Sequence, residues 1–163
     1  MTTSVPAWLI VAGDKTFALA EKEMIEYIIE PDCMTVPVTP VYSSNVIIWR
    51  EQLIPVFDLC VLMGMPPISK VTSLVVVAYQ VQALEPLNYV ALVISGSPVR
   101  IEVVDEQACE APEDNHPLLS LVAMGYFMRD DEPISILDLK ILCATDFIHK
   151  ARPFSSRDAT KTA

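Results

Sequence analysis

The sequence predicts a mainly β protein, folded as one domain or as two small intertwined units. Three observations predict it. Short apolar runs rich in β-branched and aromatic residues recur along the chain at strand length, separated by turn residues. Thirteen prolines argue against long helices. Two pairs of segments also look alike: "IPVFDLCVL" from Ile54 with "ISILDLKIL" from Ile134, 80 residues apart, and "WLIVA" from Trp8 with "LVVVA" from Leu74, 66 apart. A repeat of strands ending in a capped helix fits two similar β-units better than one large sheet.

The elements follow in order. "AWLIVAG" (7–13) and "FALA" (17–20) are opening strands. "AEKEMIEYI" (20–28) has good helix formers with Ala20, Met24 and Ile28 four residues apart, which predicts one or two turns leading into a strand. "VIIW" (46–49) and "LIPVF" (53–57) are two strands joined at Arg50-Glu51-Gln52. Pro55 has no N–H for a ladder, so the second of them is expected at a sheet edge or with a bulge. "DLCVLMG" (58–64) starts with an N-cap residue, Asp58, and stops at Gly64, and "DLKILCA" (138–144) has the same form. "SLVVVAY" (73–79), "YVALVISG" (89–96), "LVAMGYFM" (121–128) and "ISIL" (134–137) complete the strands. Val46 to Trp49 are apolar on both faces, so the strand needs core on one side and a second layer or a partner on the other. The folded domain is expected over residues 1–152, with a disordered polar and basic tail from 153.

Charge narrows the function. The chain holds 11 basic and 21 acidic residues, a net charge of -10, and residues 1–139 carry 6 basic against 19 acidic side chains. An acidic body repels phosphate backbones and anionic membrane surfaces, which excludes the usual nucleic-acid and membrane-surface binders. The N-terminus lacks a basic export region, no apolar run is long enough to span a bilayer, and a cytoplasmic protein is expected. Cys33, Cys60, Cys109 and Cys143 are widely spaced with no C-x-x-C pair, which reads as reduced, partly buried thiols. His116 sits in an acidic loop, "EAPEDNHPLL", where Glu113 and Asp114 offer further ligands, but a solvated loop outweighs a metal site. His149 is read as exposed at the start of the tail. No serine lies in a nucleophile frame and no glycine pattern cradles phosphate, so the sequence points to no enzyme and no cofactor.

The informative stretch is "SSNVIIWREQLIPVFDL" (43–59), where one arginine interrupts two apolar runs. Arg50 beside Trp49 matches the residue types enriched in interface hot spots; the competing reading is a solvated turn arginine with its stem over Trp49. The segment resembles the signature of CheW-like proteins, adaptors of bacterial chemotaxis arrays, with Arg50, Pro55, Asp58 and Leu59 at matching spacings. The resemblance covers about residues 7–145. It implies two interlocked five-stranded SH3-like β-barrels with short helices. It also implies a non-catalytic scaffold that couples chemoreceptors to a CheA-type histidine kinase, its partners being the kinase regulatory domain and the chemoreceptor cytoplasmic tip.

Carried over position by position, the partner-binding residues are Met24, Ile25, Glu26, Asn45, Trp49, Arg50, Val93 and Ile94, the last two lining the second barrel's side of the groove. The chain departs from the family pattern: Asn45 replaces a glycine, Ile48 an asparagine, Glu51 the glycine after the arginine, and Ser95 stands where an acidic residue is common. Loss of two glycines implies a reshaped loop and a divergent member, with a pathway controlling type IV pili or surface motility as a variant. The alternative is a small β-barrel that binds a small molecule, motivated by the apolar strands.

Overall fold

The computed structural model describes residues 3–67 and 70–144; the expected tail and His149 lie outside the described residues. Twelve strands occur among them in chain order: β1 (Ser4–Ala12), β2 (Lys15–Ala20), β3 (Met24–Ile29), β4 (Met34–Thr35), β5 (Asn45–Trp49), β6 (Gln52–Phe57), β7 (Ser73–Tyr79), β8 (Asn88–Ile94), β9 (Val99–Val104), β10 (Ala108–Cys109), β11 (Ala123–Arg129) and β12 (Glu132–Leu137). The helices are short: α1 (Leu59–Leu62), α2 (Pro117–Val122) and α3 (Leu139–Leu142). The chain is mainly β, and "AEKEM" makes one 3-10 turn (Glu21–Glu23) before β3.

Two six-stranded sheets form. The first has the order β10-β11-β12-β2-β1-β9 and the second β3-β7-β8-β6-β5-β4. Since β4 and β10 have two residues each, every sheet has five full strands. The two orders are the same pattern with the halves of the chain interchanged. Each half gives its first two strands to one sheet and its last four to the other, so the sheets are interlocked. Val11 O accepts from Ser95 N at 2.7 Å, which ties the end of β8 to β1 of the other sheet.

Three apolar cores follow from this exchange. The largest lies between the sheets and joins Ile10, Phe17 and Leu19 of the first to Val75, Val77 and Leu92 of the second, sealed by Leu59, Leu118 and Leu139 from the three helices. A second fills the barrel of the second sheet around Trp49, Ile54, Leu74 and Val93. A third, built on smaller residues such as Ala7 and Ala18 with Phe127 and Ile134, lies inside the first. Both faces of β7 and β8 are therefore covered, which explains their unbroken apolar sequence.

The 80-residue repeat is structural. The turn-flanking pairs Trp49–Gln52 and Arg129–Glu132 are equivalent, and Ile54 and Ile134 both point into barrel cores. Asp58 accepts from Cys60 N at 3.0 Å and Asp138 from Ile141 N at 3.2 Å, each capping its helix. The 66-residue match is out of register by one. It aligns Trp8, which faces the inter-sheet core, with Leu74, which faces a barrel core. Slipping a strand by one residue exchanges its faces, and an offset of 67 restores agreement.

Two further expectations are corrected. β6 is an interior strand without a bulge: it pairs with β5 throughout and with β8 in parallel only from Val56. Counting from the two-residue turn, Pro55 opposite Val46 falls at a non-hydrogen-bonded pair, and its missing N–H faces β8 before that ladder begins. The run 121–128 is also not one strand. Its first two residues end α2, which starts with Pro117 at the first helical position after His116.

The four cysteines are free. Burial pushes the Cys143 thiol up to about 12, with nearby Glu23 adding to the effect and a hydrogen bond from Tyr79 opposing it. Burial and the Asp58 carboxylate push Cys60 up to about 11. Such thiols are inert.

Three outcomes are expected. Leu92→Ala should cost about 2–5 kcal/mol and Asp58→Ala about 1 kcal/mol, both read from urea denaturation midpoints. A thiol whose folded pKa is raised keeps its proton in the folded state longer than in the unfolded one, so stability is intact below the ordinary value of 9.0 and falls as pH rises towards 12. Denaturation midpoints measured on that alkaline limb should fall less steeply in Cys143→Ala.

Candidate interaction surface

The site is built on the β5–β6 hairpin. Its two-residue turn is Arg50-Glu51, with φ of 48° and 64°. Two positive φ angles in sequence are the type I′ geometry that matches the twist of the flanking strands, and this geometry favours Asn-Gly. Arg and Glu adopt it at a cost of roughly 1–2 kcal/mol each. The turn is tight, and a residue other than glycine at Glu51 shows as backbone strain. At the equivalent turn of the second half, Asp130 and Asp131 take φ of 51° and 62°, with side chains that tolerate that region better.

What holds the arginine is Trp49. Its indole lies in the barrel core, 5% exposed, with its ring 4.9 Å from that of Tyr89 and its Nε1 donating to Glu26 Oε2 at 2.8 Å. The Arg50 guanidinium sits 4.3 Å from the Trp49 ring centroid, a contact worth about 0.5–1 kcal/mol at an exposed site. Arg50 is thus solvent-facing but oriented: the guanidinium lies over the face of the indole while the Glu26 carboxylate holds the ring by its edge.

Beside this stack the hairpin's outer face is apolar. Ile48 and Leu53, paired across the strands, are each 67% exposed. Val46 and Pro55 form the next row, and Met34 of β4 pairs with Val46. Nothing in the described chain covers Ile48 and Leu53, so the second layer expected over β5 is not supplied by this protein itself.

The structure brings together Glu26, Trp49 and Arg50, with Ile25 packed against the same barrel core. A register shift between Met24 and Glu26 re-aims β3, so Met24 turns to the inter-sheet core instead. Asn45 lies at the far end of β5, where its Oδ1 accepts from the Thr35 hydroxyl at 3.1 Å. Val93 and Ile94 are corrected: each is 1% exposed, Val93 in the barrel and Ile94 between the sheets, so neither lines an open groove. Sequence reasoning missed Leu53 and Tyr89. The Ile48–Leu53 pair was available from counting outward from a two-residue turn; the Tyr89 contact was not, since it joins β5 to a strand forty residues on.

In the acidic loop Glu110, Glu113 and Asp114 are exposed to solvent, while its histidine has a structural role. His116 caps α2, its Nδ1 accepting from Leu118 N at 3.1 Å. Among the described residues no cluster of three or more His, Cys, Asp or Glu is placed to hold a metal ion, and no helix is long and apolar enough to cross a membrane.

Interlocked sheets with a signature arginine on the first-half hairpin define a protein of the CheW-like class. The family described as CheW-like domain matches residues 6–146, and the chain belongs to that family. Its structure is similar to that of the scaffolding protein TtCheW from Thermoanaerobacter tengcongensis, with a TM-score of 0.70 and 20% identity over 89% of this chain and 96% of that one, a likeness of fold. No curated protein matches the chain in sequence.

Relief of the turn strain is measurable. Glu51→Gly should raise stability by on the order of 1 kcal/mol, seen as a higher melting temperature with the Trp49 fluorescence unchanged.

Proposed function

We propose that this chain is a non-catalytic adaptor of a bacterial chemosensory pathway, coupling chemoreceptors to a CheA-type histidine kinase in the cytoplasm. The observation that carries the reading is the uncovered apolar face of the β5–β6 hairpin, with Arg50 held over Trp49 at its tip, in a chain of the CheW-like family. An exposed, oriented arginine beside unburied aliphatic side chains is the anatomy of a binding hot spot. The scaffolding role of TtCheW supports it.

In this reading Arg50 and Glu26 touch a partner directly, Trp49 and Ile25 hold them in place, and Asn45 lies at the margin. Partners are the kinase regulatory domain and the helical receptor tip, which offers apolar side chains at helical spacing. The divergent turn suits a pathway controlling type IV pili or surface motility. The alternative, a barrel that stores a small molecule, is disfavoured in the second sheet, whose interior is filled by Trp49, Leu74 and their neighbours.

Titration calorimetry against the regulatory domain of each histidine kinase of the same genome tests the proposal. Saturable binding to one kinase is expected, weakened at least tenfold in Arg50→Glu. Unchanged binding in that variant would move Arg50 to the receptor side. Failure to bind any kinase domain or receptor tip would overturn the adaptor reading.

A further inference from the structure

We propose that the first barrel is a small-molecule site for a compact aromatic amine, its ring held in the barrel interior and its ammonium group at Asp105. The inference does not rest on the adaptor reading, since the site lies in the first barrel and Arg50 belongs to the second.

The two barrels share one plan but are not equally filled. Small barrels ordinarily fill their interior with their own side chains, and the second barrel does so with Trp49, Ile54, Leu74 and Val93. The first retains a cavity of about 300 Å³. Small side chains at equivalent places account for it. Ala7 and Ala20 face each other across β1 and β2, and Leu74 and Val93 face each other at the same places across β7 and β8. Both alanines line the cavity, with Ala108 and Phe127 among its other walls.

Size and lining define the body of the ligand. An apolar cavity of about 150 Å³ takes benzene. Twice that space suits a bicyclic ring, and it stands at the lower end of the range for small-molecule pockets. The walls are mainly aliphatic, with the Phe127 ring among them. Burying an apolar ring there removes it from water without displacing any side chain of the protein.

Charge defines the head group. Among the described residues that line the cavity, Asp105 is the one charged group, and it is exposed. Glu106 follows it in sequence. Tyr126 also lines the cavity, its hydroxyl oxygen accepting from Asn115 Nδ2 at 2.7 Å, so its ring is held in place. A carboxylate and an aromatic ring face both attract a cation. The net charge of -10 favours cationic over anionic visitors at long range. A fatty acid or an aryl carboxylate matches the apolar walls but is repelled by Asp105, whereas an ammonium group is drawn to it.

Nuclear magnetic resonance titration of the full chain with tryptamine, an indole carrying an ethylammonium arm, tests the proposal. Saturable binding tighter than about 1 mM is expected, with amide shifts at Ala7, Ala20 and Ala108 and none in the β5–β6 hairpin. Ala20→Val installs the residue found in the filled barrel and should weaken binding at least tenfold. Ala108→Phe, at an exposed position, should do the same, which separates a filled cavity from a damaged fold. Indole-3-propionate, with a carboxylate in place of the amine, should bind at least tenfold more weakly than tryptamine, and Asp105→Asn should narrow that difference. Binding weaker than on the order of 1 mM, shifts confined to other parts of the chain, affinity indifferent to both cavity-filling variants, or equal affinity for amine and carboxylate would each overturn the proposal.

Discussion

Everything in this molecule depends on the apolar core between the two sheets. Neither sheet is made from a continuous piece of chain. Each takes two strands from one half and four from the other, and the side chains that close the exchange, such as Phe17, Leu19, Val75 and Leu92, meet only when both halves are present. Full burial of side chains of this size is worth about 1.5–3 kcal/mol each. The helices serve this core as well: Leu59, Leu118 and Leu139 are their contributions, and the aspartate caps on α1 and α3 fix the angle at which those leucines arrive.

A rigid inter-sheet core frees the hairpin ends for recognition. At the first, a guanidinium lies over an indole whose N–H is held by a carboxylate; at the second, two aspartates occupy the same turn positions. Repetition of the fold with different side chains at equivalent tips, Arg50 and Glu51 at one and two aspartates at the other, gives the molecule two chemically distinct ends on one plan. The strain accepted at Glu51 belongs to this pattern. A turn that keeps its shape despite an unfavourable residue is held by the strands on either side, so Arg50 is presented by the scaffold and not by the loop's own preferences.

Much of this was legible in the sequence because the signals are local. Asp58 and Asp138 announce their helices within three residues, and the hairpin between Trp49 and Gln52 follows from two apolar runs around a short polar break. Other features depend on which face of a strand meets which layer. β8 is apolar throughout, so its sequence carries no periodicity from which to separate surface from core, and Val93 and Ile94 look available although both are enclosed. The same ambiguity hid the one-residue slip between the β1 and β7 repeats. The partner of Trp49, Glu26, lies on another strand, and a register shift in β3 decides that Glu26 and not Met24 reaches it. Family resemblance located this neighbourhood; only the ladder registers resolve it.

The interchange of strands has a consequence for the growing chain. β1 and β2 are made before the strands that flank them: Phe17 of β2 pairs with Ser135, 118 residues later, and β1 waits for β9. At about 5–20 residues per second of synthesis, the hairpin spends on the order of 10 s with both edges open. During that interval its apolar face, Ile10, Phe17 and Leu19, has no cover, and open apolar edges invite pairing with other chains. Closure of this sheet therefore waits until the chain has been made as far as Ser135.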